Sequence, residues 1–267
     1  MESWLYSIIL GIVQGIAEFL PISSSAHLVI ASSLLQDGTP LSLSQNIGLH
    51  IGTLLSVLIF FRKDWLGILS GVVARLRGTP NFEADKLLPA LLVGSIPAGI
   101  IGITLQDKIE EYLHHPLSVV APLGIVGWAM WAGDKKFPTG KSLASINLKQ
   151  AFIIGICQAM ALIPGVSRSG STILGGRIFG FNREDAAKFS FLLGTPAMAG
   201  AALLNLPDLL KSLGQGEFYI GCLTATVVGC LSIKFLLTFL RTNGFFAFFV
   251  YRVIVALLVI TLFWPKT

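Results

Sequence analysis

Charge in this 267-residue chain is confined almost entirely to short breaks between long apolar runs, and that pattern leaves it few folds. The runs are Leu5–Leu20, Ile22–Leu35, Ile47–Phe61, Leu87–Leu105, Pro116–Gly133, Ala151–Pro164, Ser171–Phe181, Phe189–Leu206, Phe218–Leu240 and Phe245–Trp264. Charged residues make up 12% of the chain, against about 25% in a soluble domain. Hydrocarbon offers backbone amides no partner, so segments of this kind are expected to be helices that satisfy their own hydrogen bonds. The runs fill the chain and leave no room for a soluble domain. The sequence therefore reads as an all-α polytopic membrane protein, one membrane domain over residues 1–267.

The breaks set an orientation. Arg62–Lys86 and Gly133–Lys149 are basic, whereas Gln106–His115 between them is acidic overall. Basic loops stay on the cytoplasmic side, so the first two are expected inside and the third outside. Parity then puts Asp37–Ser44 and Pro207–Glu217 outside, Arg177–Lys188 and Arg241 inside, and both termini outside. The same rule accounts for the net charge of +5 without nucleic acid. No Lys or Arg precedes the first run and no small-residue cleavage site follows it, so it reads as part of the fold and not as a signal peptide. Cys157, Cys222 and Cys230 lie inside apolar runs with no metal-ligand spacing, and packing is their expected role.

The chain also matches itself. A shift of 144 positions lays Gly11, Ile12, Gln14, Ala17, Ser23 and Ser25 on Gly155, Ile156, Gln158, Ala161, Ser167 and Ser169, and Gly52-Thr53 matches Gly194-Thr195 at a shift of 142. Repeat one covers about 1–133 and repeat two about 145–267, each with five runs. An odd number inverts the second copy. The first two runs of each copy bend at Pro21 or at Pro164-Gly165. Ile22–Leu35 and Ser171–Phe181 fall below the roughly 20 residues that a crossing helix needs. Each copy is thus expected to be a re-entrant helix hairpin plus three transmembrane helices, with the two hairpin tips meeting inside the membrane.

The tips carry the chemistry. Arg168, in Pro164-Gly165-Val166-Ser167-Arg168-Ser169-Gly170-Ser171-Thr172, is costly at this depth and calls for an anion. Ser167, Ser169 and Thr172 add hydroxyls, and a helix starting near Ser169 would add free N–H groups, which together make a phosphate cradle. The plainer reading pairs Arg168 with a structural carboxylate. In copy one, Gln14 and Glu18 share a helix face. They lead into Ser23, Ser24 and His27, a set suited to a hard cation and to proton transfer. Here the plainer readings make Ser23 or Ser24 an N-cap, His27 a core histidine and Glu18 a buried partner of Arg168. Glu18 aligns with Leu162, Ser24 with Arg168 and His27 with Ser171, so the copies differ where reactive groups would sit. Among weaker candidates, His50 lines a cavity or packs a helix. Arg252 is interior, paired with a carboxylate or a carbonyl. Lys234 snorkels. Asn205, Thr195 and Thr172 read as helix–helix glue.

Both motifs resemble those of the bacterial undecaprenyl pyrophosphate phosphatase family, linked to bacitracin resistance. Gln14-Gly15-Ile16-Ala17-Glu18-Phe19-Leu20-Pro21 with the Ser-Ser-Ser-Ala-His that follows is similar to the family's Glu/Gln-x-x-x-Glu region. The Pro164–Thr172 segment is similar to its Pro-Gly-x-Ser-Arg-Ser-x-x-Thr. Gln14 stands at the first acidic position, where the family tolerates Gln, so Glu18 alone carries the carboxylate role there, and Ser25-Ala26 stands where Thr-Gly or Ser-Gly is common. The resemblance implies removal of the terminal phosphate from the C55 isoprenoid diphosphate in the bacterial cytoplasmic membrane, recycling the lipid carrier for peptidoglycan. It implies a site open to the outer face, with bacitracin acting by sequestering the substrate. It also implies a divalent cation, Mg²⁺ or Ca²⁺, held by Glu18 with Gln14. Candidate catalytic residues are Glu18, Ser24, His27 and Arg168. Phosphate would be bound by Arg168, Ser167, Ser169, Thr172 and Ser23. Attack by Ser24 with His27 as base, by His27 itself, or by activated water all stay open. A homodimer is admitted. The competing function is a transporter or flippase of a polyprenyl phosphate, and a structural subunit is a third reading.

Overall fold

The computed structural model describes residues 3–35, 42–78, 84–112, 116–137 and 139–264. The described residues form twelve α-helices in two series of six. The first series is α1 (Ser3–Ala17), α2 (Ser24–Leu35), α3 (Leu43–Phe60), α4 (Arg62–Leu76), α5 (Ala84–Tyr112) and α6 (Val120–Lys136). The second is α7 (Leu148–Met160), α8 (Arg168–Ile178), α9 (Arg183–Leu204), α10 (Leu206–Ser212), α11 (Gly216–Thr242) and α12 (Phe246–Phe263). Packing is reciprocal between the series. Helix α1 lies on α11 and α7 on α5, α3 on α11 and α9 on α5, while α6 pairs with α12 and α3 with α9.

Five described helices are long and apolar enough to cross a membrane: Lys86–Leu105 within α5, Pro116–Lys136 including α6, α9, α11 and α12. The sixth crossing expected from sequence is α3, whose 18 residues span only about 27 Å and whose first turns carry Gln45 and Asn46. Helices α1, α2, α7 and α8 have 15, 12, 13 and 11 residues. At 1.5 Å per residue the longest reaches about 22 Å, short of a roughly 30 Å hydrocarbon core.

Two expected loops contain helices. The basic stretch from Arg62 to Leu76 forms α4, and α10 (Leu206–Ser212) occupies the first half of the expected Pro207–Glu217 loop. Charge density alone marked these as loops. Yet Ile68 and Gly71 of α4 are buried while Leu66, Leu69, Val73 and Leu76 are exposed, a helical spacing of two faces among the charges. The expected outer loop Asp37–Ser44 falls largely outside the described residues.

Four segments expected to share one side do share one end of the bundle, tied by ion pairs. Asp134 accepts from Arg177 Nε at 3.1 Å and Arg183 Nη2 at 2.8 Å, Lys188 pairs with Asp64 at 2.5 Å, and Arg241 pairs with Glu184 at 2.8 Å. Arg177 and Asp134 are both buried, so each meets the cost of burial through the other.

Lipid tails are as apolar as leucine, so helices in a bilayer hold together by close packing of small residues. Gly11 of α1 sits against Gly221 O and Thr224 of α11, and Gly155 of α7 against the Gly94 backbone of α5. These are the same self-match position facing the matching helix. A Cβ at Gly155 would overlap the Gly94 carbonyl oxygen. Gly155→Ala is expected to cost about 1–3 kcal/mol, read as a lowered thermal midpoint of the detergent-solubilised protein. Gly67→Ala, where a Cβ meets nothing within 4 Å, should leave that midpoint unchanged or slightly raised.

Candidate active site

The two hairpin tips adopt the same local conformation. Ser23 and Ser167, equivalent in the self-match, are the non-glycine residues with positive φ among those described, at 76° and 74°. A left-handed serine costs energy that only a fixed surrounding structure sustains. Each precedes the second helix of its hairpin. Ser167 accepts from Gly170 N as N-cap of α8, and Ser23 O accepts from His27 N at the start of α2. The side chains repeat the match: Ser23 Oγ lies 3.1 Å from Ser25 Oγ, and Ser167 Oγ lies 3.2 Å from Ser169 Oγ.

The tips also bond to each other. Ser169 Oγ donates to Leu20 O at 3.1 Å, and Gly165 N donates to Ser25 Oγ at 3.4 Å. Between them sits a carboxylate hub. Glu18 Oε1 accepts from Arg168 Nη2 at 2.7 Å. Glu18 Oε2 accepts from Ser24 Oγ at 2.8 Å and from Gln14 Nε2 at 3.1 Å. The partners Glu18 and Arg168 are 8% and 15% exposed, so the pair is shielded but reachable. Arg168 Nη1 donates to Ser190 O at 3.1 Å. These two bonds engage two of the five guanidinium N–H groups. The plainer sequence reading, a buried carboxylate for Arg168, thus describes the same atoms as the candidate site.

A family model described as "Bacitracin resistance protein BacA" matches residues 7–258. The chain belongs to this BacA family. It is 46% identical to an undecaprenyl-diphosphatase of Thermodesulfovibrio yellowstonii, with 98% of each chain covered. It is 42% identical to proteins of the same name from Moorella thermoacetica, with 98% of each chain covered, and from Elusimicrobium minutum, with 95% of this chain and 96% of the relative covered.

The remaining candidates of this BacA-family chain divide. Ser169 and Thr172 are each 1% exposed. Ser169 donates to the opposite tip, and Thr172 Oγ1 lies 2.6 Å from Ser190 Oγ of α9. Thr172 therefore does join helices. Ser23 is buried against Ser25. Ser167 is buried too, its hydroxyl between Gly170 N and Ser169. His27 is oriented away from Ser24. A carbonyl only accepts, so His27 Nδ1 carries the hydrogen that reaches Ser23 O at 2.7 Å. In the neutral ring Nε2 then accepts from Tyr251 Oη at 2.8 Å, with the two rings parallel at 4° and 5.6 Å apart. His50 Nδ1 accepts from Gln14 Nε2 at 3.3 Å, which joins it to the site's edge. Lys234 is exposed, Asn205 and Thr195 bond carbonyls of their own helix, and Arg252 is met by carbonyls.

The donor set can be tested against a divalent cation. Among the described residues no cluster of three or more His, Cys, Asp or Glu side chains could form a metal cage. Gln14 Oε1, however, is buried without a partner beside the Glu18 carboxylate. One carboxylate and one spare amide oxygen suit a hard cation that takes its other ligands from water and substrate phosphate.

Three residues at the site were not among the candidates. Ser190 touches both Arg168 and Thr172, Gly194 leaves the space that the Arg168 guanidinium fills, and Tyr251 holds His27. The signal for Gly194 was present in the Gly52-Thr53 match to Gly194-Thr195. Tyr251 lies inside an apolar run, and nothing in the sequence points it at His27.

Proposed function

We propose that this chain is an undecaprenyl-diphosphatase. It hydrolyses the C55 isoprenoid diphosphate to the monophosphate plus inorganic phosphate and so recycles the lipid carrier for peptidoglycan synthesis. The observation that carries the reading is Ser24 Oγ–H on Glu18 Oε2, with Arg168 on the other oxygen of the same carboxylate. Nucleophile, base and anion-binding cation meet at one group. A transporter needs the cation but not the serine–carboxylate pair.

The diphosphate enters between the tips and competes with Glu18 for Arg168, whose fork matches two phosphate oxygens. The α8 N-terminus directs its dipole and free N–H groups at the same anion. Glu18 takes the Ser24 proton as Ser24 Oγ attacks the terminal phosphorus. The bond from that phosphorus to the bridging oxygen breaks, and the polyprenyl monophosphate leaves. Water then releases phosphate from Ser24. His27 has its proton fixed on Nδ1 by Ser23 O, so Nε2 is its basic atom, and Tyr251 is the neighbour it exchanges with. Glu18 and Gln14 would hold Mg²⁺ or Ca²⁺, which when bound offsets phosphate charge and eases departure of the leaving group.

The two halves are proposed as inverted repeats, residues about 1–133 and 145–267, each a re-entrant hairpin plus three crossings. The reciprocal packing and the matched left-handed serines support this. By the loop charges the ion-paired end lies on the cytoplasmic side of the bacterial inner membrane. The site then opens outward and both termini lie outside.

Purified protein in detergent is expected to release inorganic phosphate from C55 diphosphate, and Ser24→Ala to lower kcat by about 10²–10³-fold. Substrate binding without phosphate release by the unsubstituted protein would instead favour transport.

A further inference from the structure

Arg252 of α12 is fully buried, and each hydrogen-bond partner found for it among the described residues is a main-chain carbonyl. Its Nε donates to Leu123 O at 2.8 Å and its Nη1 to Pro21 O at 3.1 Å. Its Nη2 reaches Gly165 O at 2.8 Å, Val166 O at 3.2 Å and Pro122 O at 3.2 Å. Pro21 and Gly165 are equivalent in the self-match, one in each tip. A single guanidinium therefore spans the two tips at matched carbonyls and fixes both to the start of α6.

An interior charge is expensive, and dipoles alone offset it only in a closely fitted shell. An apolar side chain would fill the space at lower cost. What such a side chain could not do is bridge five carbonyls on three segments with fixed geometry. Among the described residues, the direct hydrogen bonds between the tips other than the Glu18–Arg168 pair are two hydroxyl contacts, one at 3.1 Å and one at 3.4 Å. The reacting groups are split between the same tips, Glu18 and Ser24 on one and Arg168 on the other. The preceding residue, Tyr251, reaches His27, so one turn of α12 addresses both the tip junction and the histidine.

We propose that Arg252 is a positioning residue for phosphate transfer, setting the separation between the two tips without touching substrate. The proposal rests on the phosphatase reading above. Misplacing reacting groups by about 1 Å can cost about 10²-fold in rate. Arg252→Met, close in volume and without donors, is expected to lower kcat about 100-fold while KM moves less than about 3-fold. Arg252→Lys, which keeps the charge and can reach some of the carbonyls, should recover about tenfold of that loss. Gly127→Ala perturbs the same group without removing it, since its Cβ would stand 3.2 Å from Arg252 Cδ and 3.3 Å from Nε. It is expected to lower kcat several-fold with a thermal midpoint within about 3 °C of the parent, and it decides the matter if Arg252→Met does not fold. Full kcat in a folded Arg252→Met, or in Gly127→Ala where Arg252→Met is lost, overturns the proposal. So does a loss that tracks the folded fraction and that Arg252→Lys does not recover. Failure of the phosphatase reading would look different: no phosphate release by the unsubstituted protein.

Discussion

Arg168→Ala is expected to reduce phosphate release from C55 diphosphate by about 10³-fold at saturating substrate and to raise KM as well. Arginine clamps on a transferring phosphoryl group contribute on the order of 10³–10⁵ in rate, and among the described residues Arg168 is the one cationic side chain that bonds Glu18, whose other partners are Gln14 and Ser24. The substitution also leaves the Glu18 carboxylate 8% exposed and without its counterion, which costs about 3–5 kcal/mol when a buried pair is broken. Thermal midpoint and rate therefore have to be measured together. Two companions separate them. Arg168→Lys keeps the charge but loses the fork, and about a 10²-fold loss is expected with the fold preserved. Gly194→Ala keeps Arg168 itself: a Cβ there falls on the guanidinium, the far end of a flexible side chain, which must swing away from Glu18 and Ser190 O. Lower turnover in Gly194→Ala with a smaller fall in midpoint than in Arg168→Ala would tie rate to guanidinium position. An Arg168→Ala protein with undiminished turnover would remove the anion-binding role altogether.

Much of this arrangement was legible because the self-match pairs its positions. Ser23 and Ser167 were aligned by counting, and both hold the left-handed turn. Proline and glycine stand at the bends where α1 passes into α2 and α7 into α8, and each of these helix pairs is in contact. The charge pattern grouped Asp64, Asp134, Arg183 and Glu184 correctly at one end, because their shared side follows from parity alone. Helix α4 escaped the same logic. Exposed charge on a helix looks, in sequence, like a loop.

The pairing within the site was less legible. Ser24 and His27 lie three apart at the start of α2, and their nearness in sequence offered a nucleophile with its base as one of the open assignments. The ring turns instead to a tyrosine 224 positions away, on α12, while Ser24 turns back to Glu18. Sequence separation carries no distance information in a bundle whose halves interleave. The two glutamines make the same point from the other direction. Gln14 meets Glu18 and His50. Gln158 aligns with it, yet Leu162 and Leu192 stand at the corresponding positions, and both polar atoms of Gln158 are buried without partners. The self-match keeps the amide but not its company, so the candidate acid–base residues of the first segment have no counterparts at the matched positions of the second.

Glu18→Gln should lower kcat by about 10³-fold while leaving substrate binding unchanged or tighter, the opposite binding effect to Arg168→Ala. The amide keeps the shape of the side chain. It cannot accept at both positions, however, so either Ser24 Oγ–H or Arg168 Nη2 faces an N–H where it now meets an oxygen. Ser24 loses the group that takes its proton, an effect of about 10²–10⁴ in rate. Arg168 meanwhile loses its resting counterion, so an incoming phosphate no longer competes with a carboxylate for it. A fall in kcat without a rise in KM marks an interaction needed in the transition state and not in the ground state. Glu18→Asp is expected in between, since the charge survives but retreats by one methylene from both partners. The decisive measurement is the affinity for a non-hydrolysable C55 methylene-diphosphonate, titrated with and without Mg²⁺. Tighter binding by Glu18→Gln in both conditions supports the base. Binding that weakens only when Mg²⁺ is present would mean that Glu18 serves the cation first, and that the proton from Ser24 leaves by another route.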